Sequence, residues 1–200
     1  SYMSRSASLD RQTSETNIHV SIQLDGTGQA DIKTGIGFFD HMITALAKHS
    51  LMDLTIRAQG DLHIDPHHTV EDVGITIGKA LYQALGDKKG IRRFGNSTVP
   101  MDEALASVVV DFSGRTYLVW NANIPRSRLG DFDTELTEDF WQAFASQAQC
   151  NLHVQLHYGR NTHHLIEAIF KAAAQAIRQA IELDSRATGS IPSTKGTLSK

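Results

Sequence analysis

Three things are scarce in this chain, and each shortage closes a class of explanation. One cysteine among 200 residues, Cys150, excludes an internal disulfide framework and a thiolate metal cage, and suits a reducing cytoplasm. Basic charge is not in excess: Lys and Arg number 19 against 22 Asp and Glu, for a net charge of -3. Nucleic acid is therefore not an expected partner. No apolar stretch approaches the ~20 residues that span a bilayer, so no membrane role is expected. A secretory h-region is missing as well, and Ser1 and Tyr2 before Met3 read as an expression remnant rather than a targeting segment. What remains, 40% hydrophobic and 20% charged, fits a compact globular protein of one large domain or two small ones.

Histidine, by contrast, is plentiful, with ten residues. Four of them sit in two near-copies of one pattern: Asp-Pro-His67-His68-Thr-Val-Glu71-Asp and Asn-Thr-His163-His164-Leu-Ile-Glu167-Ala. Each string runs into apolar residues at helical spacing, Val73, Ile77 and Leu81, then Ile169, Ala173 and Ile177. On a helix, His at i and Glu at i+4 project from one face, so each copy offers an imidazole and a carboxylate to one cation. The second His of each pair points about 100° away around the axis and can serve a different cation. Two copies suggest two metal sites built by internal duplication.

The order of elements agrees with a duplication. Residues 17–24 alternate, with Ile18, Val20, Ile22 and Leu24 on one face, and 25–28 reads as a hairpin turn into 30–32. A helix is expected from Gly37, where Phe38, Met42, Ala45, Leu46 and His49 recur at spacings of three and four. A strand at 54–58 and the first motif helix, ending near Gly86, complete this half. The second half reads as strands at 106–112 and 117–122 around a Ser113-Gly114 turn, a helix at 137–149, a strand at 152–156 and a helix at 163–183. Both halves thus run strand, strand, helix, strand, helix. His41 lies 26 residues ahead of His67, and the corresponding place 24 residues ahead of His163 is Asp139. Both are taken as further ligands.

Imidazole and carboxylate donors without sulfur favour Mn²⁺, Fe²⁺, Co²⁺ or Zn²⁺. A single His-His-x-x-Glu would be read as a solvated helix start with Glu in its first turn; two at matching places point to a binuclear site. Taken singly, other residues have plain readings. Glu15 is a polar residue before a strand, Arg92-Arg93 a basic turn, and Arg115 a hairpin flank. The 191–196 tail, with its Ser and Lys beside Gly, also suits a phosphate oxyanion. His19, His63, His153 and His157 read as strand residues with local hydrogen bonds, and Cys150 as a packed apolar one. His49, two turns beyond His41, could face the same pocket or not.

Together these residues closely resemble the imidazoleglycerol-phosphate dehydratases of histidine biosynthesis. The match runs through Arg-x-Thr-x-Glu-Thr at 11–16, Gly-Ile-Gly-Phe-Phe-Asp-His-Met at 35–42 and Asp-Leu-His-Ile-Asp-Pro-His-His-Thr-Val-Glu-Asp at 61–72. It continues in Lys-Gly-Ile-x-Arg-Phe-Gly at 89–95, Asp-Glu-Ala at 102–104, Asp-x-Ser-Gly-Arg at 111–115, Asn-x-His-His-x-x-Glu-Ala-x-Phe-Lys-Ala at 161–172 and Ile-Pro-Ser-x-Lys-Gly at 191–196. The length leaves no room for the histidinol-phosphatase domain fused to some members, so a monofunctional carbon–oxygen hydro-lyase is expected.

The resemblance implies an α+β fold of two duplicated ferredoxin-like or ribosomal-S5-domain-2-like α/β halves, each a small mixed sheet backed by helices. Residues 3–95 and 96–186 would be the halves and 187–200 a phosphate-binding tail. It further implies a cytoplasmic homo-oligomer of twenty-four subunits with two Mn²⁺ ions per active site at subunit interfaces. One ion would take His67, Glu71, His163 and Glu167. The other would take His41, His68, His164 and Asp139, a carboxylate where many members have His. Arg93, Arg115, Lys171, Ser193 and Lys195 match the phosphate-binding set, and Glu15, His41, His49 and Thr194 would also meet the substrate. The implied reaction dehydrates imidazole glycerol phosphate to imidazole acetol phosphate. Its broken C–H bond is not next to a carbonyl, so the metal-bound ring would act as electron sink through an imidazolate and a diazafulvene-like intermediate. Glu15, Glu71 and Glu167 are the candidate proton carriers. Two other uses of such ligands are a binuclear hydrolase, which would activate water, and a ferritin-like store, which would need long bundled helices.

Overall fold

The structure is a computed structural model that describes residues 4–198; Ser1 and Tyr2, the expected expression remnant, lie outside the described residues, as do Met3 and the last two residues of the expected 187–200 tail. The first half consists of β1 (Ser6–Gln12), β2 (Thr16–Gln23), β3 (Ala30–Lys33), α1 (Gly37–Ser50), β4 (Asp53–Gly60) and α2 (His67–Leu85). The second consists of β5 (Phe94–Met101), β6 (Ala104–Asp111), β7 (Tyr117–Asn121), a small ribbon of β8 (Arg128–Leu129) and β9 (Phe132–Asp133), α3 (Leu136–Ala148), β10 (Asn151–Tyr158) and α4 (Thr162–Ile181). The sheet orders are β1-β2-β4-β3 and β5-β6-β10-β7, the same arrangement twice. In each sheet the inserted strand is antiparallel to one neighbour and parallel to the other. A parallel pair needs a crossover, which α1 supplies between β3 and β4 and α3 between β7 and β10. These are the duplicated mixed-sheet halves that the sequence implies.

Two local readings change. Residues 25–28 do not make a hairpin from β2 into β3, because β4 lies between those strands. The loop instead closes on Asp53, whose Oδ1 accepts the N–H groups of Thr27 and Gln29 at 3.0 and 2.8 Å. Likewise Ser113-Gly114 does not join paired strands, since β7 pairs in parallel with β10. The hairpin partners of β2 and β6 are β1 and β5, which the period-2 search does not find. Both are edge strands: β1 is mostly polar, and β5 carries Gly95 and Pro100, a residue that an edge tolerates but a centre does not. Each half therefore runs strand, strand, strand, helix, strand, helix.

The helices of the two halves face each other, with the sheets outside. α2 covers β1 and β2, α4 covers β5 and β6, and across the middle α2 packs on α3 and α1 on α4. Fully buried aromatics fill the seam: Phe39 of α1 meets Phe140 of α3 edge-on at 5.4 Å, and Phe140 stacks on Phe170 of α4 at 5.4 Å. Gly74 and Gly78 let the α2 and α3 backbones approach; a Cβ at 78 would lie 2.6 Å from the Phe144 carbonyl oxygen. Among the described residues no helix is long and apolar enough to cross a membrane.

Candidate metal centre

The crossed helix packing places the motif residues. α4 is capped by Asn161, whose side chain accepts the His164 N–H at 3.1 Å, and its first turns project His163 and Glu167 toward α1. There His41 Nε2 lies 2.8 Å from Glu167 Oε1, and His163 Nε2 lies 3.6 Å from the same oxygen. The candidate ligand atoms of His41, His163 and Glu167 all fall within 4.8 Å of one another. Glu167 is buried and its second oxygen lies 3.3 Å from Lys171 Nζ. Burial pushes the Glu167 carboxyl up, but the Lys171 ammonium and the His41 contact outweigh it and hold the group below its ordinary value.

A second cluster forms where α2 meets α3. His67 Nε2 is 3.1 Å from Glu71 Oε2, and His67 Nδ1 is 3.8 Å from Asp139 Oδ2. The three line an open cleft of ≈ 390 Å³ together with Gln142 and Gln147. The chain thus groups His41 with His163 and Glu167, and Asp139 with His67 and Glu71. Within one chain each motif helix packs on the first helix of the other half, not on the other motif helix. The expected sharing of one ion by His67, Glu71, His163 and Glu167 therefore needs a neighbouring subunit, as ions at subunit interfaces imply.

The second histidines are held differently. His68 Nδ1 lies 2.8 Å from Asp61 Oδ2, and His164 Nδ1 lies 2.6 Å from Glu103 Oε1. Those hydrogen bonds raise both imidazoles above their ordinary value. Glu103 also accepts the backbone N–H groups of Arg160 and Asn161, each at 2.8 Å, and with His164 these hold its carboxyl down at about 2. Neither Asp61 nor Glu103 is among the expected site residues. Both lie inside motifs that carry the resemblance, which was the available signal; Asp61 is 7 residues ahead of His68, whereas Glu103 is 61 residues from His164.

Glu15 sits exposed in the β1–β2 turn, where Thr13 Oγ accepts its N–H at 3.1 Å and that of Thr16 at 3.0 Å. Hydrogen bonds from Ser14 and Thr13 lower its carboxyl, and the neighbouring His68 adds to the effect. Thr16 Oγ donates to Asp72, which also faces Arg11 Nε at 3.3 Å, so the turn is tied to α2. His49 is half-buried; burial, Lys171 and Lys48 hold its imidazole below the ordinary value, while Glu167 opposes them, which sets it beside the first cluster.

Of the phosphate candidates, Arg93 grips Asp111 through Nε and Nη2 at 2.7 and 3.1 Å and donates Nη1 to the Pro192 carbonyl at 3.1 Å, which brings the tail to β5. In that tail Ser193 Oγ accepts the Lys195 N–H at 3.1 Å. Lys171 joins the first cluster through Glu167. Arg115, Thr194 and Lys195 are exposed, and among the described residues no ion pair joins Arg115 or Lys195 to either cluster. His19, His153 and His157 are strand residues with local partners, whereas His63 lies in a turn. Cys150 is buried and burial pushes its thiol up to about 12, which removes it as a ligand. The donors that do converge, imidazole nitrogen and carboxylate oxygen, suit a divalent cation such as Mn²⁺.

Residues 34–177 match the family model described as imidazoleglycerol-phosphate dehydratase. The chain is 62% identical over 196 residues to the imidazoleglycerol-phosphate dehydratase of Granulibacter bethesdensis, covering 98% of this chain and 100% of the relative. It is 60% identical over 194 residues to that of Gluconacetobacter diazotrophicus, covering 97% and 98%. Among solved structures, the dehydratase of Staphylococcus aureus superposes with a TM-score of 0.80 at 44% identity, over 90% of this chain and 98% of that one. The Pyrococcus furiosus enzyme, solved with (S)-C348, gives 0.81 at 36% identity over 94% and 99%.

Proposed function

The chain belongs to the imidazoleglycerol-phosphate dehydratase family, a family of hydro-lyases, and from that premise we propose that it converts imidazole glycerol phosphate to imidazole acetol phosphate and water in histidine biosynthesis. The observation that carries this reading to a mechanism is the convergence of His41, His163 and Glu167 within 4.8 Å; His67 meets Glu71 through Nε2 and, at 3.8 Å, Asp139 through Nδ1. One Mn²⁺ ion fits the first group, and His67 with Glu71 offers an imidazole–carboxylate pair to a second. His68 and His164 point elsewhere on their helices, so they would complete ions whose other ligands lie on neighbouring copies of a large homo-oligomer, twenty-four subunits by the family resemblance.

When bound, such ions supply Lewis acidity to the substrate's imidazole ring and a fixed orientation for it. The chain's own residues do the rest. Glu71 and Glu167 lie within the clusters and serve as ligands. Glu15 is exposed and outside both, so it is the carboxylate free to carry a proton at the glycerol carbons. Lys171 and Arg93 with Arg115, Ser193, Thr194 and Lys195 bind the phosphate, which fixes the reacting carbons against the ring-binding clusters. Halves divided near residue 95 each give one helix to each cluster, and the 187–200 tail brings the phosphate ligands.

The test is turnover of imidazole glycerol phosphate by metal-stripped protein, with and without added Mn²⁺. Imidazole acetol phosphate is expected only with the ion. Product at full rate without metal would overturn the role of the clusters, and no product from Mn²⁺-loaded protein would overturn the reaction.

A further inference from the structure

We infer that Asp61 and Glu103 are positioning residues that hold His68 and His164 with Nδ1 turned to a carboxylate and Nε2 on the opposite side of the ring, where a cation can reach it. This rests on the metal reading above and adds two residues to it. A neutral imidazole has a lone pair on only one nitrogen, and the partner of the other nitrogen decides which. His68 Nδ1 lies 2.8 Å from Asp61 and His164 Nδ1 lies 2.6 Å from Glu103, so in both rings the proton is kept on Nδ1. The first histidines, His67 and His163, meet their i+4 glutamates through Nε2 as well. On the far side of the rings Asp139 lies 3.8 Å from His67 Nδ1, and Asp102 Oδ2 lies 3.7 Å from His164 Nε2.

Neither carboxylate is a loose surface group. Asp61's side chain is 10% exposed and hydrogen-bonds His68, and among the described residues its buried Oδ1 has no hydrogen-bond partner. Glu103 is fixed first by the backbone of residues 160 and 161 and then meets His164. The two come from unlike places: Asp61 follows β4, whereas Glu103 lies in the β5–β6 turn, whose counterpart in the first half carries Glu15. Duplication alone therefore did not copy the contact. Each half reaches the same imidazole arrangement by its own route. A carboxylate behind a ligating histidine fixes its orientation and raises its basicity, and losing one costs roughly 10- to 100-fold in metal affinity.

The experiment is Mn²⁺ titration of the assembled full-length protein by calorimetry and electron paramagnetic resonance. Asp61→Asn and Glu103→Gln are compared with His68→Ala, His164→Ala and the unmodified chain. Each carboxylate variant is expected to weaken one class of ions by about 10- to 100-fold, leave the other class unchanged, and preserve melting of the metal-free protein. Asp61→Glu is expected to recover part of the loss. Because Glu103 also holds two backbone N–H groups, Asp61→Asn decides the matter should Glu103→Gln melt early. Weakening by the histidine variants alone would overturn the positioning role and leave the metal reading standing. Unchanged binding in the histidine variants would overturn both.

Discussion

Glu15 stands in a turn shaped by Thr13 and tied to α2 through Thr16 and Asp72, close to His68 yet outside both clusters. Its substitution should separate proton transfer from metal binding. Glu15→Gln is expected to lower kcat by about 10²- to 10⁴-fold with Mn²⁺ content and assembly intact; loss of bound ion from that variant would count against the assignment. Cys150 offers a second test at this scale. Burial lifts its thiol from 9.0 to about 12, so the folded chain keeps a proton that the unfolded chain sheds first. That contribution is whole below about pH 8.5 and is lost as pH rises toward 12. The melting difference between the wild type and Cys150→Ala should shrink steadily from pH 8.5 upward; a constant difference would refute it. Which of these side chains share a helix face was legible, because i,i+4 spacing fixes it. Which of them meet within one chain was not, because that depends on which helix faces which, and spacing within one helix carries no such information.

At the scale of elements, periodicity reports burial, and it found those elements that are buried on one face. The central strands β2, β4, β6 and β10 and all four helices follow from it to within a few residues. The edge strands β1 and β5 escaped because one side of each faces solvent and their sequences need little apolar alternation. The parallel pairing of β3 and β7 escaped because a Gly-containing loop after a strand reads as a hairpin until the inserted strand is known. Helix contact gives a prediction with an unintuitive sign. In an exposed helix Gly→Ala gains about 1 kcal/mol. Gly78→Ala should instead destabilise by roughly 1–3 kcal/mol, since the added carbon would meet the α3 backbone. Urea unfolding decides, and a raised midpoint would show that α2 and α3 can part without cost.

Across the whole molecule, the tail is fastened at two points. Arg93 holds the Pro192 carbonyl, and the buried Lys88 donates to the Leu198 carbonyl at 2.6 Å. Ser193, Thr194 and Lys195 lie between these anchors. Lys195→Ala should raise KM by about 10- to 100-fold, the worth of one charge-assisted hydrogen bond, with kcat little changed. Arg93→Ala should cost more, because it removes a proposed phosphate ligand and one fastening together. Steady-state kinetics check both, and an unaltered KM in Lys195→Ala would remove that residue from the phosphate set. The tail's Ser and Lys beside Gly were legible as oxyanion donors, whereas its fastening by Arg93 and Lys88 was not, because those contacts join residues 99 and 110 positions apart.

The contact of α1 with α4 and of α2 with α3 obeys the rule of a two-fold dimer, in which patch i of one partner meets patch j of the other and the converse holds. Here both partners are on one polypeptide. A true dimer of a single half would be obliged to carry the same side chain at both corresponding places. The fused chain is free of that obligation, and it uses the freedom where His41 faces Glu167 in one cluster and Asp139 faces His67 in the other. Linkage has turned one site repeated by symmetry into two sites that can be tuned apart.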